Sequence, residues 1–120
     1  MRIDAWIDAS FPDLRDLQRS SLEVQQQENV ASLSYRRGGM SLPRSTIGMV
    51  AAYALFVDRL CGSTRFAIPY QAAGLLEHGA QLLLAWDTVD ATPAHDIELI
   101  DRWASLCGLS GHYDWIPFKP

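Results

Sequence analysis

Apolar positions crowd the middle of this chain and thin toward both ends. From Thr46 to Trp86 the charged residues are Asp58, Arg59, Arg65 and Glu77 alone. Ile47 to Val57 carries no charge and is apolar on nearly every side. A helix of that pattern has no solvent face; it belongs in a core, a membrane or an interface. The run predicts a helix over 42–61, entered near Ser41 and Pro43. Gly62 stops it, suiting the left-handed closing position.

The flanking segments are patterned differently. Ser10-Phe11-Pro12-Asp13 has the spacing of a capped helix start, and a helix follows over 11–28. Leu14, Leu17, Ser21 and Val24 recur along it at heptad-like spacing, with Leu22 alongside. Arg15, Asp16, Arg19, Glu23, Gln26 and Gln27 form its solvated face. So thin an apolar stripe either lies on a core or pairs with a partner. Pro69 opens a helix over 69–86 carrying Tyr70, Ala73, Leu76, Ala80, Leu83 and Leu84. Gly74 and Gly79 admit a close approach or a kink there. Thr92 caps a helix over 92–107, Pro93 takes its first position and Gly108 ends it. Its apolar stripe is Ile97, Ile100, Trp103, Ala104 and Cys107.

Three stretches read two ways. Residues 2–8 suit a strand or a helical turn, and 82–86 a buried strand or the end of a helix. Ser32 to Arg36 alternates like a short strand before Gly38-Gly39 breaks it. The expected fold is mainly α: a small four-helix domain, residues 1–120, around a buried central helical hairpin. The alternative is an α+β variant with two or three short strands.

Size and composition agree with a globular chain. At 120 residues it is long enough to bury a core without a disulfide or metal, and 48% apolar with 20% charged residues is ordinary. Thr46 to Cys61 as a helix would span about 24 Å, short of a bilayer core of roughly 30 Å, so no membrane association is expected. Asp4 and Asp8 interrupt the start where a signal peptide would be apolar, so the expected compartment is the cytoplasm. Cys61 and Cys107 then read as reduced core thiols, with a disulfide as the alternative.

Charge is uneven. Residues 1–28 sum to −3, 29–76 to +4 and 77–120 to −5, within a net −4. An acidic protein with a basic middle would meet an anionic partner there. The segment from Tyr35 to Thr46 has chemistry for one: Arg36, Arg37 and Arg44 supply charge, Ser45 a hydroxyl, and the following helix start a positive dipole end. Its spacing is not that of a nucleotide-hydrolase phosphate loop. A solvated loop before a capped helix explains the same residues.

Other chemistry is sparse. A helix-turn-helix is suggested by the helices flanking Gly62, but the second of them has Glu77 and no base where a DNA reader carries a basic stripe. His78, His95 and His112 have acids nearby (Glu77, Asp96, Asp114), yet none makes the i, i+4 pair of a helical zinc motif. No catalytic residue, cofactor or metal site is therefore assigned. The aromatic tail offers Trp115 and Phe118 as anchors for a partner groove, or as a strap over the chain's own core.

The leading functional reading is a non-catalytic interaction protein: an adaptor, inhibitor or accessory subunit acting through a helical and aromatic surface on a protein partner or on itself. The residues assigned to partner or anion binding are Arg36, Arg37, Arg44, Ser45, Trp115 and Phe118. A nucleic-acid-binding regulator using the arginine-rich middle is the second reading. A small enzyme or ligand-binding domain with a histidine in its pocket is the third.

Overall fold

The computed structural model describes residues 1–34, 36–37, 40–41, 43–89 and 92–116, with backbone alone for Ser34, Arg36, Arg37, Met40, Ser41, Arg44 and Pro93. The chain is mainly helical. Its described elements in order are α1 (Arg2–Ser10), α2 (Arg15–Ala31), a two-residue antiparallel pair β1 (Arg36–Arg37) and β2 (Met40–Ser41), α3 (Arg44–Cys61), α4 (Ile68–Ala72), α5 (Leu76–Thr88) and α6 (Pro93–Leu106). Single 3-10 turns lie at Pro12–Leu14 and Ser32–Ser34.

α3 is the centre, as its apolar pattern demands. Gly48, Ala51, Ala52, Ala54, Phe56 and Val57 are buried, and α3 packs most closely against α5. Small residues make that seam. A Cβ built on Gly79 of α5 would lie 2.8 Å from the Ala51 Cβ and 2.9 Å from the Ala52 backbone nitrogen. Only glycine lets the two backbones come so near. Two side-chain clusters flank the seam. Phe56 and Val57 meet Leu22 of α2 and Leu83 of α5, while Ala51 and Ala54 meet Tyr70 of α4. α6 is tied to α5 by Trp103 Nε1, which donates to the Leu82 carbonyl at 2.7 Å.

Two open readings are resolved and several expectations are corrected. Residues 2–8 and 82–86 are helical. Ser10 caps nothing: it is the last residue of α1, the chain turns at Phe11, and α2 starts only at Arg15. The helix expected over 69–86 is two, because Gly74 sits at φ 73 and the Leu75 N–H turns back to the Tyr70 carbonyl at 2.9 Å. Gly74 makes the break and Gly79 the close approach. Ser32–Ser34 is a 3-10 turn, and the strand pair begins at Arg36. Gly62 (φ 65) and Gly108 (φ 71) do close α3 and α6 in the left-handed conformation. Cys61 and Cys107 are unbridged, half-buried thiols.

Asp58 explains how α3 can end in a loop without exposing its core. Its side chain is buried, and its carboxylate accepts from Ser63 Oγ at 2.7 Å, Phe66 N–H at 3.0 Å and Ala67 N–H at 2.8 Å. One side chain thus folds the 62–67 loop and satisfies donors at the start of α4.

Candidate functional site

α2 presents the least expected surface. Its heptad stripe faces outward: Leu14 is 46% exposed, Leu17 72% and Val24 55%. The residues it turns inward are Leu22 and Gln26, the latter only 1% exposed. Gln26, expected on the solvated face, is thus buried, and neither its Nε2 nor its Oε1 has a partner among the described residues. The reason is geometric: α3 meets α2 on the Leu22 side, and a helix of this thickness cannot cover the stripe as well.

α1 widens the same surface. None of its residues is buried. Gln18 Nε2 donates to the Asp4 carbonyl at 2.8 Å, and Arg15 to the Asp8 carbonyl at 3.0 Å, which hold α1 beside α2. Between the two helices runs a groove of about 280 Å³ with Ile7, Leu14, Leu17 and Leu22 in its lining. Trp6 and Phe11, both exposed, pack edge to face with centroids 5.1 Å apart.

The ion pairs set the sign of this surface. All six arginines with described side chains are committed: Arg2 to Asp96, Arg15 and Arg19 to Asp8, Arg59 to Asp87, Arg65 to Glu23 and Arg102 to Glu98. Asp13, Asp16 and Glu28 of the α2 region have no opposing base among the described side chains. Asp13 precedes Leu14, and Glu28 continues the Leu14–Ser21 spacing by seven residues. The stripe is apolar but for Ser21 and acidic at both ends.

Of the residues first assigned to binding, only Ser45 and Trp115 have described side chains. β1 pairs Arg36 with Ser41 and Arg37 with Met40, which lays the two arginines' backbone beside the strand leading into α3. Their side chains, that of Arg44, and all of Phe118 lie outside the described residues. Ser45 is half-buried in the first turn of α3, where no side chain caps the helix. Trp115 lies against α6 through Asp101, with Nε1 donating to Asp101 Oδ1 at 3.0 Å. Ile116 beside it is 88% exposed, so the described part of the tail leans on α6 without covering a core.

The histidines divide. His95 Nδ1 is 2.5 Å from Thr92 Oγ1 at the start of α6, and the neighbouring Asp96 is taken by Arg2. His78 fits against α3 where a Cβ on Gly48 would collide with its ring, and its Nε2 stands 4.0 Å from Cys107 Sγ. Burial raises the Cys107 thiol's pKa, which keeps it protonated and a poor nucleophile. Neither residue lines any of the larger concavities described for the chain, so this contact reads as packing. Among the described residues, no group of three or more His, Cys, Asp or Glu could hold a metal ion. The concavity beside the 62–67 loop, about 560 Å³, is polar only through Asp58, Arg59, Ser63, Thr64 and Gln71, and the first two already have full partners.

No helix among the described residues is long and apolar enough to cross a membrane. No family model matches the chain, and neither a curated protein nor a solved structure matches it.

Two features of this surface were partly legible in the sequence. The heptad stripe was visible, but not the side it faces, because Leu22 and the stripe compete for the core and only the third dimension decides. The commitment of the arginines was visible only in the i, i+4 pair of Glu98 and Arg102, since the partners of Arg2, Arg19, Arg59 and Arg65 lie 11 or more positions away along the chain.

Proposed function

We propose that the chain is a non-catalytic interaction module whose α1–α2 face takes a helix of a protein partner. The observation that carries the reading is the outward stripe of Leu14, Leu17 and Val24. Large apolar groups at heptad spacing suit the edge of a second helix, packed knobs into holes. The partner helix should bear its own apolar stripe with basic residues at both ends, to meet Asp13 and Glu28. A second copy of this chain fits less well. Paired parallel, the stripes bring like ends together; paired antiparallel, Glu28 meets Asp13. Both arrangements place acid on acid.

The test uses a helical peptide with a leucine heptad stripe and lysines at both ends, against the same peptide ended in glutamates. The lysine-ended peptide should bind, weaken with salt, and lose binding to Leu17→Asp while the helical circular dichroism stays unchanged. Equal binding of both peptides, or binding indifferent to Leu17→Asp, overturns the reading. A concentration-dependent dimer abolished by Leu17→Asp would overturn it in favour of self-association.

A further inference from the structure

After α6 the chain reverses through Gly108 and Gly111, at φ 71 and 82, and returns Tyr113 and Trp115 to Asp101. Tyr113 Oη donates to Asp101 Oδ1 at 2.5 Å, and Trp115 Nε1 donates to the same oxygen at 3.0 Å. The two rings stand at 90° with centroids 6.0 Å apart. With Ser110, Gly111 and Asp114 they bound a surface notch of about 290 Å³.

We propose that this notch binds an alkylammonium group, the chemistry shared by a lysine side chain and a free quaternary amine. An edge-on ring pair covers one aromatic face, both residues stay partly exposed (Tyr113 38%, Trp115 46%), and an open face attracts a cation through the ring quadrupole. Asp101 Oδ1 holds both rings in place without burying them, so they are exposed yet fixed. A phenol that donates to a carboxylate also gains electron density in its ring. The carboxylates then fix the sign. Asp114 has no opposing base among the described side chains. Arg102, next to Asp101, is turned away to Glu98 at 2.8 Å and Thr88 at 3.0 Å. The hydroxyl and then the indole bond hold Asp101 below the usual carboxylate range, so its charge persists in mild acid. Nothing at the notch competes with an incoming cation among these residues. The site lies at the α6 end and does not rest on the α1–α2 reading.

The experiment follows the indole N–H resonance of Trp115 by ¹⁵N correlation spectroscopy, assigned through Trp115→Phe. Tetramethylammonium, N-acetyl-lysine methylamide, the uncharged 3,3-dimethylbutanol and sodium chloride are titrated separately. The proposal expects a saturable shift with the two cations and none with the alcohol or the salt. Asp114→Asn should weaken binding about 2- to 5-fold, the scale of one exposed cation–aromatic or ion-pair contact. Tyr113→Ala should abolish it with the thermal melt retained. Tighter binding of the lysine derivative assigns the notch to a partner's lysine; tighter binding of tetramethylammonium assigns it to a free amine. No saturation with either cation, an equal response to the alcohol, or indifference to both Asp114→Asn and Tyr113→Ala overturns the site.

Discussion

The seam between α3 and α5 and the face made by α1 and α2 use apolar residues in opposite ways. The seam is built from Gly48, Ala51, Ala52 and Gly79, with few large side chains, and is closed almost completely. The outer face carries Leu14, Leu17 and Val24, with the exposed Trp6 on α1, and leaves them in water. Burying a large apolar side chain is worth about 1.5–3 kcal/mol. A chain arranged for its own stability would place such residues where the alanines are. The difference teaches that the seam closes through backbone approach between small residues, with the large core groups Leu22, Phe56, Val57 and Leu83 packed beside it, while the large apolar groups of the outer face remain available for contact with another molecule.

The sharpest way to break the inner half of that contrast is Asp58→Ala. The variant removes the acceptor for two backbone N–H groups and one hydroxyl around a buried position. Leaving such donors unpaired should cost roughly 3–5 kcal/mol, read by urea denaturation. Asp58→Asn keeps the shape and one acceptor oxygen, so it should lose less than half as much. Equal losses would mean that charge, and not the loop's hydrogen bonds, holds this end of α3.

Gly79→Ala comes next. In an open helix this change stabilises by up to about 1 kcal/mol. Here the new methyl meets the Ala51 Cβ and the Ala52 backbone, neither of which can swing aside, so a loss of roughly 1–3 kcal/mol is expected. A neutral or stabilising result would show that the seam has slack and would remove the contrast. Gly48→Ala is the control, since the group it meets is the movable ring of His78.

Alkaline pH tests the inner half by a different route. Burial, with the Asp4 hydrogen bond and charge behind it, raises the Tyr53 hydroxyl's pKa, and burial raises that of Tyr70. Both groups start from 10.0 when exposed. Below that value both states are protonated and their contribution is intact. As pH rises above it, the unfolded chain ionises first and stability falls. Denaturation midpoints should therefore drop from about pH 10 upward, and Tyr53→Phe should flatten the decline. A flat profile in the parent chain would mean that Tyr53 and Tyr70 are solvated.

How much of this the sequence showed follows from the kind of pattern involved. The uncharged run from Ile47 to Val57 marked α3 as central, and Gly62 and Gly108 marked two helix ends, because backbone conformation at a left-handed glycine is a local matter. Gly74 and Gly79 were both visible, but whether each breaks a helix or admits a neighbour depends on what lies opposite, which no local rule supplies. Ser10 misled for a similar reason. The residues around it have capping spacing, yet α1 already takes Ser10 as its last residue, and the pattern over 2–8 is too short to separate helix from strand. Asp58 stands in the sequence only as one of the four charges between Thr46 and Trp86; a lone acid in an apolar run just before a loop is its signal. On the surface, Trp115 could be named, but its tie to Asp101 joins positions 14 residues apart.

The smallest effect on stability and the largest expected effect on association fall on the same residue. Leu17 is 72% exposed, so Leu17→Asp should change the folding free energy by no more than about 0.5 kcal/mol. If the α1–α2 face is a docking surface, that substitution places a charge in the middle of the stripe, and helical partner binding should disappear. Leu22→Asp, five residues on and on the inward side of the same helix, should do the reverse damage: it buries a charge against Phe56, Val57 and Leu83 and unfolds the chain outright. The pair separates fold from function on a single helix. Were Leu17→Asp as disruptive to folding as Leu22→Asp, the stripe would be part of the core, and the contrast between the two faces would be gone.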